Sequence, residues 1–262
     1  MQTIRQRQIL ELLHAKGDCT VDQMAETLRV SDMTIRRDLQ LLADEGLLLR
    51  NHGGASAVES VRFEFQFLER NRVCRAQKEA IGKAAAGLVK AGQSVLLDSG
   101  TTTLAVAREL RSVPRLTVIT TALPIASVMQ RAGNADIVLL GGTLRRESPD
   151  LEGPLTEANV ETLRADLAII GADGVDLDGQ AYNASMSVAR LLGKAARSAV
   201  QVYVVADSTK IGRPALTVFG RIAGWAGLIT DSDISPAHLR QLRAAGVNVI
   251  VAPVVTPTEK RT

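Results

Sequence analysis

Aromatic residues make up only 3% of this 262-residue chain. Proteins that grip single-stranded nucleic acid stack successive bases on aromatic faces, so that class of binder is disfavoured. Cysteine is rarer still: Cys19 and Cys74 lie far apart, and no neighbouring Cys or His completes a metal-ligand spacing. Neither a zinc site nor a disulfide framework is expected. His14, His52 and His238 are equally scattered, so the expectation is no metal and no cofactor. Two further features are missing: a run of about 18 apolar residues, and an apolar signal core in the opening MQTIRQRQILELL. These absences predict a reduced, cytoplasmic protein without a membrane partner.

What is present suits a small domain joined to a larger one. Hydrophobic residues at 46% supply a sizeable core, and 23% charged residues is ordinary for a soluble chain. The net charge of +3 and a pI near 9.1 permit a polyanionic partner without requiring one.

Three helices are expected within residues 1–46. Ile9, Leu10 and Leu13 form an apolar stripe that ends at Gly17. Thr20 with Gln23 predicts a capping box, followed by Val21, Met24, Ala25 and Leu28 at helical spacing. After a turn at Arg29 and Val30, Ser31 is a suitable N-cap for a third helix running to Gly46. At about 100° per residue, Ile35, Leu39 and Leu42 fall on one side of it. Met33, Arg36, Arg37 and Gln40 fall on the other.

That polar face suits a major-groove reader. Arg bonds bidentately to guanine and Gln to adenine, and the Ser31 and Thr34 hydroxyls at a positive helix N-terminus suit a phosphate. Taken alone, any surface helix carries a polar face. The following LLLRNHGGA predicts a small wing in which Leu47 and Leu49 pair, Gly53 and Gly54 turn, and Arg50 and His52 point at the DNA backbone. Residues 1–54 carry seven Lys/Arg against eight Asp/Glu. Affinity for DNA must then come from where Arg5, Arg7, Arg36, Arg37 and Arg50 sit. Asp38 reads as a partner for an arginine or a backbone group, not as a base reader.

Phe63, Phe65 and Phe67 alternate in a segment without a helical stripe, which fits an extended arm, either a solvated connector or a dimer contact. From Gln77 onward, apolar runs recur at 94–99, 116–121, 136–141, 166–171, 200–207, 226–231 and 247–252, with helix-like stretches between most of them. Near-continuous apolar strands alternating with helices predict a mainly parallel α/β sheet covered on both faces. Ligands bind such sheets beyond the carboxyl ends of the strands. Those ends carry Asp98, Ser99, Gly100, Thr101, Thr102 and Thr103; Thr120 and Thr121; Gly141 and Gly142; Asp173 after Gly171; and Asp207 to Lys210. The first set is neither a Walker loop nor a dinucleotide fingerprint, yet glycine, hydroxyls and free amides at a helix start can cradle phosphate. Lys210 would neutralise phosphate, and Asp98 or Asp173 would bind hydroxyls. Each loop taken singly also reads as an ordinary βα connection.

The string MTIRRDL with the HGG wing, and DSGTTT, LGGTLR, IIGADG, ADSTKIG and LITD further on, resemble the DeoR family of bacterial regulators over nearly the whole chain. The resemblance implies a winged helix-turn-helix at 1–56, a linker at 57–76, an effector-binding α/β domain at 77–254 and a tail at 255–262. It also implies a fold related to ribose-5-phosphate isomerase and a phosphorylated sugar or similar effector. Two departures stand out: Thr120, Thr121 and Ala122 replace the usual Thr-Asn-Ser, and Leu192 falls where the family carries a lysine. Tyr182, Asn183 and Ser185 are candidate replacements. The reading is a repressor, bound as a homodimer or homotetramer to a double-stranded operator and released by a phosphorylated sugar, with no catalytic residue. The alternative is a sugar-phosphate isomerase with a fused DNA-binding head. Against it, Gly174 stands where the related isomerases place a second acid.

Overall fold

Helix α1 (Ile4–Lys16) starts at Thr3, whose side chain and that of Gln6 cap each other's backbone amides. It ends at Gly17, whose φ of 82° reverses the chain. This is a computed structural model, and it describes residues 3–57, 67, 70–146 and 148–255. The chain divides into two units, Met1–Arg70 with Arg146–Ser148, and Asn71–Arg145 with Pro149–Thr262.

In the first unit, β1 (Asp18–Thr20) leads into α2 (Val21–Leu28), which opens with the expected Thr20–Gln23 capping box. Arg29, in the left-handed conformation at φ 54°, turns the chain towards Ser31 and α3 (Asp32–Asp44). Strands β2 (Leu48–Asn51) and β3 (Gly54–Ala57) then form the wing, with sheet order β1-β3-β2. Ile9, Leu13, Met24, Ile35, Leu39, Leu42 and Leu48 are fully or almost fully buried together. The wing differs from expectation by one residue of register. Leu48 is the buried plug and Leu49 is exposed, because period-two alternation sends neighbours to opposite faces. Helix α3 also stops at Asp44, two residues short of the glycine expected to end it.

Two adjacent glycines do different work in the wing. Gly53 takes φ 83° at the turn. Gly54 lies against β1, where a Cβ would collide with the Cys19 carbonyl oxygen.

The second unit runs α4 (Arg75–Ala86), β4 (Ser94–Leu97), α5 (Thr101–Leu110), β5 (Leu116–Thr120), α6 (Leu123–Ala132) and β6 (Ala135–Leu139). A short hairpin of β7 (Thr143–Leu144) and β8 (Leu151–Glu152) precedes α7 (Pro154–Glu161) and β9 (Ala165–Gly171). Next come β10 (Gly174–Val175), β11 (Gln180–Asn183), α8 (Met186–Arg197), β12 (Ala199–Val205) and β13 (Thr217–Arg221). The unit closes with β14 (Gly227–Asp231), α9 (Pro236–Ala244) and β15 (Val249–Ala252).

All seven expected strands form one sheet in the order β15-β14-β12-β9-β4-β5-β6, and every neighbouring pair is parallel. Their apolar runs reflect burial on both faces, complete at every residue of β14. Strands β4, β5, β6 and β12 end one or two residues before their runs do, where the chain enters loops, whereas β9, β14 and β15 reach the ends of theirs. Beside this sheet lies an antiparallel one, β10-β11-β13, that the apolar pattern did not show. Phe67, expected in an extended arm, is helical; Phe63 and Phe65 lie outside the described residues.

The chain order matters for the site. From β4 the sheet grows to β5 and β6 on one side, while from β9 it grows to β12, β14 and β15 on the other. The direction reverses between β4 and β9, the place where open α/β sheets leave a crevice at their carboxyl edge.

Gly54→Ala should destabilise the first unit by about 1–3 kcal/mol, since the clash is with backbone and cannot be relieved by a rotamer. Gly53→Ala meets no neighbour and should cost about 1–2 kcal/mol through its left-handed backbone alone. Urea unfolding of the two variants checks the order; equal or smaller loss for Gly54→Ala would contradict the packing described.

Candidate DNA-reading surface and ligand site

Helix α3 divides into two faces. Ile35, Asp38, Leu39 and Leu42 are buried, while Met33 is 75% exposed and Arg36, Arg37 and Gln40 are exposed. Arg36 and Arg37 form no ion pair or side-chain hydrogen bond with any described residue. At the helix start the Ser31 hydroxyl accepts from the Thr34 amide at 3.4 Å, and the two hydroxyls are hydrogen-bonded at 2.9 Å.

Asp38 explains why an acid can sit on a DNA-reading helix. Its carboxylate is buried and takes the Arg5 Nε at 2.5 Å, joining the first turn of α1 to the middle of α3. The hydrogen bond to Asp38 holds the Arg5 guanidinium above its ordinary pKa. Arg5 is thereby spent inside the unit and leaves the set of cations available to DNA.

The wing is tied to α3 by a chain the sequence did not suggest. Arg50 Nη1 donates to Gln40 Oε1 at 2.8 Å, and Gln40 Nε2 donates to Asp44 Oδ1 at 2.8 Å. Arg50 was expected to face a phosphate; it instead orients the amide expected to read a base. His52 is exposed at the wing turn.

At the second unit's sheet edge, five neighbouring strands bring their loops side by side in the order β12, β9, β4, β5, β6. Asp98, at the end of β4, sits at the reversal. Its Oδ2 accepts the Gly171 amide of β9 at 2.9 Å, and its Oδ1 accepts the Ser99 amide. Burial pushes the Asp98 carboxyl up to about 8; the Gly171 amide opposes the shift, and the neighbouring Asp150 charge adds to it.

Helix α5 begins at Gly100 without any side-chain cap, so its first amides are open to an anion. Thr101 and Thr102 are half-buried there. Thr103, expected beside them as a ligand contact, is fully buried and donates its hydroxyl to the Gly100 carbonyl at 3.1 Å. The third residue of that helix turns toward the sheet and braces the loop.

The other expected positions differ in character. The hydroxyl-bearing Thr121 is buried, and its carbonyl accepts from Leu151 at 3.0 Å. Gly142, at φ 154°, packs where a Cβ would collide with Thr156. Asp173 is exposed and accepts the Ala184 amide at 2.9 Å. Lys210 is half-buried in a single 3-10 turn (Ser208–Lys210), whose Ser208 amide donates to the fully buried Asp231 at 2.7 Å. Tyr182, Asn183 and Ser185 bond locally, to Asp176, to the Ser185 amide and to the Val188 amide respectively.

Residue-by-residue reading overlooked Asp150. It is 3% exposed; its Oδ2 accepts from the Ser99 hydroxyl at 2.6 Å and lies 3.4 Å from Arg145 Nη1. Its buried Oδ1 has no hydrogen-bond partner. Buried acceptors are normally satisfied, so this oxygen is an unmet acceptor beside the β4 loop.

Because the folded state keeps Asp98 protonated up to about pH 8, the sign of its effect follows. Between the unfolded value near 4 and that value, unfolding releases a proton, so this carboxyl disfavours folding increasingly as pH rises. Asp98→Asn should therefore gain in melting temperature relative to wild type on going from pH 5 to pH 8. A constant or shrinking difference would contradict the buried, protonated carboxyl.

Comparison with known proteins covers both units. Residues 5–61 match the DeoR-like helix-turn-helix domain, and residues 74–232 match the DeoR C terminal sensor domain. The chain is 33% identical to the lactose phosphotransferase system repressor of Lactococcus lactis subsp. lactis over 241 residues, 90% of this chain and 94% of that one. It is 32% identical to the HTH-type transcriptional regulator GlpR of Haloferax volcanii over 246 residues, 94% of this chain and 96% of that one. It is 30% identical to the HTH-type transcriptional repressor CsqR of Escherichia coli K12 over 248 residues, 94% of each. Among solved structures, ribose 5-phosphate isomerase A from Methanocaldococcus jannaschii aligns at 18% identity and a TM-score of 0.40, over 53% of this chain and 55% of that one.

Proposed function

The chain belongs to the DeoR family and is a DNA-binding transcriptional regulator, and we propose that it represses a carbohydrate-metabolism operon and is released when a phosphorylated sugar binds at the β4/β9 reversal. The observation that carries the DNA reading is the division of α3, where two arginines stand exposed and unengaged on the face opposite a buried apolar stripe. Arg36, Arg37, Gln40 and Met33 take the base edges. Ser31, Thr34 and His52 take backbone phosphates, and Arg50 holds Gln40 in place or releases it to a phosphate. Because the reading head is short and close to neutral, two heads must act together. A homodimer or homotetramer would place half-sites about 10 base pairs apart or at multiples of that spacing.

The effector reading rests on the open start of α5 and on Lys210. The amides of Thr101 and Thr102 would hold the phosphate. Lys210, two strands away at roughly 10 Å, would neutralise it from across β9. Asp173 and the unpartnered Oδ1 of Asp150 would accept sugar hydroxyls. Ser99 would sit between phosphate and hydroxyls. Asp98 shapes the loop instead of binding, since both its oxygens already accept backbone amides.

Two features support the non-enzyme reading over an isomerase. A base must be ionised near the operating pH and within reach of the substrate carbon. Asp98 is mostly protonated at neutral pH, and Gly174 leaves Asp173 without a second acid. Turnover of pentose or hexose phosphates that is abolished by Asp173→Asn would overturn the non-enzyme reading.

Arg36→Ala and Arg37→Ala should each lower operator affinity about 10- to 200-fold, while affinity for scrambled DNA at the same salt falls far less. Fluorescence anisotropy on both duplexes measures the ratio. Unchanged discrimination in both variants would remove α3 as the reading helix.

A further inference from the structure

Arg145 stands directly after β7, and its backbone amide donates to the Asp150 carbonyl at 2.9 Å. Its side chain is only 18% exposed, yet its hold on its neighbours is loose. Of the five N–H donors a guanidinium carries, one makes a hydrogen bond with a described residue, Nη1 to Asp150 Oδ2 at 3.4 Å. Glu152 Oε2 lies 3.6 Å from Nε, too far for a hydrogen bond. Charge-assisted bonds normally close to about 2.7–2.9 Å, and elsewhere in the same unit Arg190 meets Glu157 at 2.7 Å.

The Asp150 oxygen that Arg145 touches also accepts the Ser99 hydroxyl at 2.6 Å, which sets the guanidinium beside the loop that opens α5. That helix starts without a side-chain cap, and the other Asp150 oxygen is buried without a hydrogen-bond partner. A mostly buried cation short of acceptors, uncapped helix amides and an unmet buried acceptor suit one molecule that is an oxyanion at one end and a hydroxyl donor close by. Releasing Arg145 leaves neither acid bare: Glu152 Oε2 keeps the Ser187 hydroxyl at 2.7 Å, and Asp150 keeps Ser99. We propose that Arg145 leaves Asp150 and Glu152 to grip the phosphoryl group of the effector with its planar fork, while Asp150 Oδ1 accepts a hydroxyl of the same molecule. Arg145 is then a ligand-binding residue, and Asp150 competes with the ligand for it. This rests on the phosphorylated-effector reading above and adds the cation that holds the anion from the β5 side, away from Lys210.

The probe is inorganic phosphate, titrated into the full chain at constant ionic strength and followed by isothermal titration and thermal shift. Phosphate should bind the wild type saturably, and Arg145→Gln should weaken it roughly tenfold or more. Arg145→Lys keeps the charge without the fork and should recover only part of that loss. Asp150→Asn should bind phosphate more tightly than the wild type, because a neutral amide competes less for Arg145. Glu152→Gln should shift affinity in the same direction and serves where Asp150→Asn does not fold. If Arg145→Gln binds phosphate as the wild type does while Lys210→Gln loses it, the inference fails and the phosphorylated-effector reading stands. Weaker binding in the Asp150 and Glu152 variants as well as in Arg145→Gln would make the pair a structural brace and overturn the inference. No saturable binding of phosphate by the wild type would defeat both readings together.

Discussion

The second unit depends on a single buried carboxyl at the place where its sheet changes direction. Two parallel half-sheets that grow apart from β4 and β9 leave a gap at their carboxyl edge, and Asp98 bridges it by accepting one amide from each side. Its two acceptor bonds fix the β4 loop so that α5 starts with open amides. Placing an acid there without a counter-charge costs free energy, which is why its proton stays on at neutral pH. A neutral carboxyl would also avoid repelling a phosphate bound, as proposed, at the start of α5. The same loop positions Ser99 against Asp150, and Asp150 against Arg145, so these groups form one connected network.

The first unit follows a related logic with opposite charges. Its acids outnumber its bases, but Asp38 is turned inward onto Arg5. That pairing locks α1 to α3 and removes one negative charge from the reading face. The remaining cations are few and placed. Arg50 and Gln40 form a joint between wing and helix that is exposed to solvent. Exposed hydrogen bonds of this kind contribute little to stability, so the joint can reopen when DNA offers better partners.

Legibility in the sequence followed the physics of each element. All seven strands of the large sheet were visible because burial on both faces writes an uninterrupted apolar run. The caps at Thr20 and Ser31 were visible because capping needs particular residues at fixed offsets. The sheet of β10, β11 and β13 was not visible, since its strands are short, half-exposed and polar. The burial of Thr103 was not visible because residue type announced a loop hydroxyl, whereas the side chain is buried and bonded to the Gly100 carbonyl. Asp150 was missed because its partner Ser99 lies 51 positions earlier. The Gln40–Arg50 joint likewise required knowing how the wing folds over α3. Local rules reach a few residues along the chain, and site chemistry here is assembled across greater separations.

The central claim is that binding at the β4/β9 edge is coupled to DNA reading by α3. The most direct measurement is operator affinity, by fluorescence anisotropy at fixed salt, as a function of a phosphorylated sugar already known to bind the full chain. The account predicts that saturating sugar phosphate weakens operator binding by about 5- to 150-fold, and that saturating operator weakens the sugar phosphate by the same factor, as linkage demands. A sugar phosphate that binds tightly yet leaves operator affinity unchanged would contradict it.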